Sequence, residues 1–174
     1  PADRLTVAEA FTYFAGIDLL ATLDDAGNGI RDGLAVRARR GGITVAPDDD
    51  WSDIFSKVLT ARIEPKLGLE RPAILYEYPV CEAALARVSP RDRRVAERFE
   101  LYACGVELAN GFGELTDPVQ QRARFEAEMA KKEKIYGLRY PLDEDLLAAL
   151  AIMPPASGVA LGFDRLVMLA TGEI

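Results

Sequence analysis

Histidine is absent from the 174 residues. That removes Ser/His and Cys/His relays, histidine metal sites and imidazole acid–base catalysis together, so any chemistry falls to carboxylates, Arg, Lys, Tyr or bound metal ions. Cysteine is nearly absent too. Cys81 and Cys104 lack the spacing of a metal site and fit reduced thiols rather than a disulfide framework. No apolar run approaches the roughly 18 residues of a membrane span, and the N-terminus has no signal-peptide pattern. The expectation is a cytoplasmic protein that does not engage a membrane. Positive charge is also short: 21 basic against 28 acidic residues leave a net charge of −7, which disfavours an extensive nucleic-acid footprint.

The chain is 49% apolar and 28% charged, enough for one globular domain with a real core, or for a piece of a larger one. Thr6 and Glu9 stand at capping-box spacing ahead of Ala10, Phe11 and Phe14, predicting a helix that ends at Gly16. A short charged helix is expected over Arg31–Arg40, where Arg37, Arg39 and Arg40 read as a solvated face rather than an anion patch. Asp48 to Asp50 mark the start of another helix, with Ile54, Val58 and Leu59 as its core stripe and Pro65 as its stop. "RPAILYEYPV" reads as a short buried strand closed by Pro79, and "SPRDRRVAERF" as a brief helical connection. Beyond it, Asp117 and Pro118 open a helix that closes near Gly137, a further helix begins at "LDEDLLAALAIM", and a short small-residue strand leads into a closing helix. Separated helices with adjacent strands predict an α+β fold, an antiparallel β-sheet flanked by helices.

The stretch "ERFELYACGVELANGFGELTD" places Glu100, Glu107 and Glu114 at steps of seven inside an apolar, glycine-punctuated run. Carboxylates on a buried strand are costly unless paired. With a two-residue turn at Ala103 and Cys104, Glu100 would directly oppose Glu107, and the two would repel unless a cation lies between them. Magnesium, a hard cation that combines a few carboxylates with phosphate oxygens, suits such a pair. "NGFG" supplies small residues for close backbone approach to a ligand, and Glu114 offers a negative end to a cationic substrate group. The competing reading is a surface hairpin whose glutamates meet water, helped by Arg94 or Arg98.

A second segment, "SGVALGFDRL", sets Gly158 and Gly162 beside Arg165 in the first turn of a helix. Glycines there let a flat ring lie on the backbone, and Arg165 can stack on that ring or reach phosphate. Tight packing and a surface ion pair are the bland alternatives.

Together these stretches resemble class II aminoacyl-tRNA synthetases, in particular their lysyl branch. "FELYACGVELANGFGELTDP" is similar to the lysine-pocket strand pair, "GVALGFDRLVML" to motif 3, and "YPVCEAALA" to the segment before them, with the match clear from about Pro72 onward. Within that branch the chain resembles the short paralogue that attaches (R)-β-lysine to elongation factor P. Lysyl-tRNA synthetases usually carry Gly-Leu-Gly-Ile-Gly where this chain has Gly158-Val159-Ala160-Leu161-Gly162. A methyl group at Ala160 would narrow the pocket wall, which fits a β-amino acid.

The resemblance implies roles at matching positions. Glu100 and Glu107 would hold Mg2+ on the phosphates of ATP, and Glu107 and Leu108 would line the nucleotide. Asn110 would bind the polar head of the substrate, Glu114 its side-chain ammonium, and Ala160 the pocket wall. Gly162 would pack on adenine, with Arg165 the catalytic contact to phosphate. It also implies that residues 1–174 are the C-terminal part of a class II catalytic core. Motif 3 is present, motifs 1 and 2 are not recognisable, the fragment is expected to be inactive alone, and the full-length protein is expected to be a homodimer. Cys81 and Glu82 depart from the small or uncharged polar residues usual there. Three functions compete. The first is an ATP-dependent ligase passing β-lysine to elongation factor P, the second the catalytic part of a lysyl-tRNA synthetase using α-lysine and tRNA, and the third a non-catalytic binding module.

Overall fold

The Thr6 and Glu9 side chains cap each other's backbone: the Thr6 hydroxyl accepts from the Glu9 amide at 3.1 Å, and the Glu9 carboxylate accepts from the Thr6 amide at 2.8 Å. In the computed structural model, which describes residues 1–172, a strand β1 (Asp3–Thr6) runs directly into this cap, an element the sequence pattern did not disclose. The cap opens helix α1 (Val7–Ala10), which widens to a π-turn over Phe11–Ala15 and stops at Gly16, whose φ of 67° lies in the left-handed region. Helix α2 spans Arg31–Arg40 as expected. Helix α3 (Trp51–Val58) starts from Asp50, whose carboxylate accepts from the Asp53 amide. It continues through a π-turn, and the α-helical ladder ends as the chain tightens into a 3-10 turn over Glu64–Lys66, which contains Pro65.

Strand β2 (Ala73–Pro79) follows, then β3 (Val95–Ala103) and β4 (Val106–Gly113). The expected helical connection before β3 is not there. Asp92 instead accepts from the Arg94 amide at 2.9 Å and from its guanidinium, a local turn that competes with helix and delivers Val95 to the sheet opposite Pro79. Helix α4 (Pro118–Tyr136) is capped by Asp117, α5 (Glu144–Leu150) by Asp143, and β5 (Ser157–Leu161) leads into α6 (Phe163–Thr171). The five strands lie in the order β1-β2-β3-β4-β5. β1 is parallel to β2 and every other neighbour is antiparallel.

The helical layer from Val7 to Ile63 covers one face of β1, β2 and β3. Phe55 stacks on Phe11 at 5.0 Å and on Trp51 at 5.3 Å, and Ile54, Val58, Leu75, Tyr78 and Tyr102 are buried around them. Each such side chain contributes about 1.5–3 kcal/mol by leaving water. Among the described residues, this core takes none from β4 or β5. The same face of the sheet therefore opens beyond β3, and that is where the acidic side chains gather.

Candidate active site

The β3–β4 turn is made by Cys104 and Gly105, both with left-handed φ (53° and 74°), as a two-residue hairpin of the type that matches strand twist requires. Ala103 then faces Val106 and Tyr102 faces Glu107, after which the register shifts so that Leu101 faces Ala109. Leu108 is the extra residue of this bulge. The expected opposition of Glu100 and Glu107 is thus corrected: Glu100 faces Asn110. The turn sits one residue later because Gly105 takes its left-handed second position. The bulge has a chemical consequence, since it brings Glu107 and Asn110, three apart in sequence, onto one side of the sheet.

Directly paired residues share a face, so the register defines the site. Arg98, Phe112 and Gly158 form one row, Glu100, Asn110 and Ala160 the next, and Tyr102 with Glu107 a third. Glu114 follows on the same side by alternation. Gly111 and Gly113 point the other way. A side chain at Gly111 would meet the Phe99 ring at 2.4 Å, and one at Gly113 the Glu97 carboxylate at 2.3 Å, so these glycines serve packing on the opposite face, not ligand approach.

Glu100 is 5% exposed and fully engaged. One carboxylate oxygen accepts from the hydroxyls of Tyr78 (2.5 Å) and Tyr102 (2.6 Å), the other from Arg98 (2.7 Å) and the Asn110 amide (2.9 Å). These donors fill the roughly four acceptor positions of a carboxylate. Burial, followed by the charge of Glu100, pushes both phenols far above their ordinary range, so they remain donors. The two tyrosines are site residues that motif reading passed over, and Arg98 entered it only as a helper of surface glutamates. The alternation of β3 would have put Arg98 and Tyr102 on the Glu100 face, whereas the reach of Tyr78 depends on strand pairing.

Glu107 is partly exposed, and Arg165 lies over it: the guanidinium donates to the Glu107 carbonyl at 2.7 Å and approaches its carboxylate at 3.4 Å. The Leu108 carbonyl accepts from the Gly162 amide at 2.8 Å, which fastens the start of α6 to the bulge. A side chain at Gly162 would meet the Arg165 stem first, at 3.4 Å. Glu114 is held by its backbone, its amide donating to Ala156 at 3.0 Å beside a bridge to Ala86. Its carboxylate rests in the space left by Gly158, 2.4 Å from where a β-carbon would stand, and it has no ion-pair partner among the described residues. Ala160, opposite Asn110, is exposed on the same face.

Two further carboxylates border the site. Glu64, at the end of the helical layer, is pushed up by burial and by the charges of Glu100 and Glu107. Glu82, in the Val80–Glu82 turn, accepts from the Ser52 hydroxyl, and its carbonyl accepts from Arg98 at 2.5 Å. No cluster of three or more metal-ligating side chains exists among the described residues. The donor chemistry still suits a hard cation carried on phosphates, for which one or two carboxylates suffice. Glu107 is open to that role, and Glu100 can join only by exchanging one of its donors. Among the described residues, no helix is long and apolar enough to cross a membrane.

The profile described as tRNA synthetases class II (D, K and N) matches residues 3–174. A Vibrio cholerae protein named elongation factor P–(R)-β-lysine ligase is 43% identical over 174 residues, covering 99% of this chain and 52% of that protein. Proteins of the same name from Haemophilus influenzae (43% over 171 residues; 98% and 51% covered) and Sodalis glossinidius (45% over 174 residues; 97% and 51%) are similar. The chain spans about half the length of the curated relatives it matches.

Proposed function

The chain belongs to the class II tRNA synthetase family of the D, K and N group, and from that premise we propose that it is the C-terminal part of the catalytic core of an ATP-dependent ligase. The ligase activates (R)-β-lysine and passes it to elongation factor P in the cytoplasm, as a homodimer at full length. The carboxylate of the amino acid attacks the α-phosphorus of ATP, pyrophosphate leaves, and an amine of the acceptor then displaces AMP from the acyl group. Positioning and charge neutralisation carry such a transfer, so the absence of histidine is no obstacle.

The observation that carries the reading is Glu114, a carboxylate on the open face, without a cation partner among the described residues, in line with Asn110 and Ala160. It is the complement of a side-chain ammonium, and Asn110 is the neighbouring group for the polar head. Bound Mg2+ would neutralise the triphosphate, held by Glu107 and by Glu100 once a donor gives way. Leu108 and Gly162 would line the nucleotide, and Arg165, now resting on Glu107, would turn to phosphate. The Ala160 methyl beside Asn110 supports a β-amino acid over α-lysine. The ligase names of the relatives support the same choice.

The test is pyrophosphate exchange into ATP by a polypeptide that joins this chain to the half that its relatives carry outside the matched region. Exchange driven by (R)-β-lysine well above α-lysine is expected. A preference for α-lysine would favour the tRNA-charging reading, and no exchange with any amino acid the non-catalytic one. In the same assay Glu114→Gln should weaken amino-acid binding by roughly ten- to a hundredfold, the loss of a charge-assisted contact, while ATP binding persists.

A further inference from the structure

Arg98 has no assigned role, yet every side of its guanidinium is used. Its side chain is 17% exposed. One terminal nitrogen donates to the Glu82 carbonyl at 2.5 Å and the other to Glu100 at 2.7 Å, Nε approaches the Asn110 side-chain oxygen at 3.4 Å, and the group lies 4.4 Å over the Tyr78 ring. A guanidinium is rigid and cannot deprotonate, so these contacts fix its plane. Asn110 is gripped from both ends. Its oxygen faces Arg98, which has only donors, and its nitrogen donates at 2.9 Å to Glu100, which has only acceptors. Rotating the amide by half a turn would set NH2 against a cation and oxygen against an anion.

We infer that Arg98 is a positioning residue that fixes which way the Asn110 amide faces, and thereby which donor and which lone pair of Asn110 remain to read the polar head of the amino acid. This rests on the reading of Asn110 given above. Arg98 does not touch substrate. It acts through Asn110, and it ties that amide to the Glu82 turn. Charge alone does not meet the requirement, because a lysine ammonium at position 98 can neutralise Glu100 but cannot also span the Glu82 carbonyl and Asn110.

Two measurements test this. In side-chain amide NMR of the wild-type chain, one Asn110 Nδ2 proton should be shifted and slow to exchange, and Arg98→Lys should return the pair to free-amide values while the backbone spectrum is kept. Wild-type signals like those of a solvent-exposed asparagine, or signals untouched by Arg98→Lys, would overturn the assignment. In the joined polypeptide, Arg98→Lys should raise the amino-acid KM about tenfold or more and leave the ATP KM within about twofold. On an Asn110→Ala background the same change should add less than about twofold, since both act through one amide. Rescue of the amino-acid KM by lysine, or multiplication of the two effects, would reduce Arg98 to a structural ion pair. A wild type without amino-acid-dependent exchange would topple the functional reading instead, and the NMR result would still decide Arg98.

Discussion

Glu82 has a hydroxyl, not a cation, as its hydrogen-bond partner, the Ser52 side chain. Burial pushes its carboxyl above the ordinary range. Arg98 and Lys131 pull the other way, and Asp50 adds to the push. A carboxyl whose folded pKa lies above its unfolded value gives a stability term that is present at low pH and is lost as pH rises through the folded value. At neutral pH the ionised side chain is therefore a cost. Glu82→Gln keeps an acceptor for Ser52 and removes the charge. The variant should melt about 2 °C higher than the wild type at pH 7, with the gap closing as pH falls toward about 4.5. Thermal melts across that range check this, and a constant gap, or a variant that melts lower at pH 7, would remove the desolvation argument. Glu100, more deeply buried, has Arg98 and three neutral donors around its carboxylate.

At the scale of elements, the β3–β4 hairpin is pinned at its tip. The Cys104 amide donates to the Gly68 carbonyl at 2.7 Å and the Gly105 amide to Leu67 at 2.9 Å, so the segment after α3 clasps the turn. Gly68 has a φ of 72°, and a β-carbon there would stand 2.6 Å from the Ala103 backbone. Gly68→Ala should cost about 2 kcal/mol or more in urea denaturation, whereas Cys104→Gly, relieving a φ of 53°, should be neutral or slightly stabilising. Equal losses in both would sink the clasp. The pieces legible in sequence were those with local causes: caps at Thr6, Asp50 and Asp117, the Gly16 and Gly137 stops, and the α3 stripe. β1 escaped because its partner, Ala73–Tyr76, lies far along the chain. The 89–94 segment carried helix-like charge, but Asp92 closes a turn there. The resemblance named Glu100, Asn110, Glu114 and Ala160 together, whereas alternation from the expected turn would have set Asn110 and Glu114 on the face opposite Glu100. The bulge at Leu108 was not legible, because it answers to the whole hairpin rather than to any residue within it.

For the whole molecule, stability and site are unevenly shared. The main core draws on residues from Val7 to Tyr102, whereas α4 buries only Gln121, α5 only Leu147, and α6 no residue at all. Helix α4 is held largely by polar ties, Lys131 to Asp50 at 2.8 Å, Arg122 to Glu144, and Arg124 to the Ala84 and Ala86 carbonyls at 2.9 and 2.7 Å. Exposed pairs of this kind contribute about 0–1 kcal/mol each. β5 and α6 leave Val159 62% and Phe163 70% exposed, yet they supply Ala160, Gly162 and Arg165 to the site. Native-state hydrogen exchange should therefore divide the chain. Amides of α3, β2 and β3 should open only with global unfolding, and those of β5 and α6 at a free energy lower by about 2 kcal/mol or more. A ligand that bridges Glu114 and Arg165 must order the weaker half, so ATP with (R)-β-lysine should slow exchange in β5 and α6 more than in β2. Uniform protection across the sheet without ligand would mean that α6 is held by contacts stronger than its packing shows, and the division would fail.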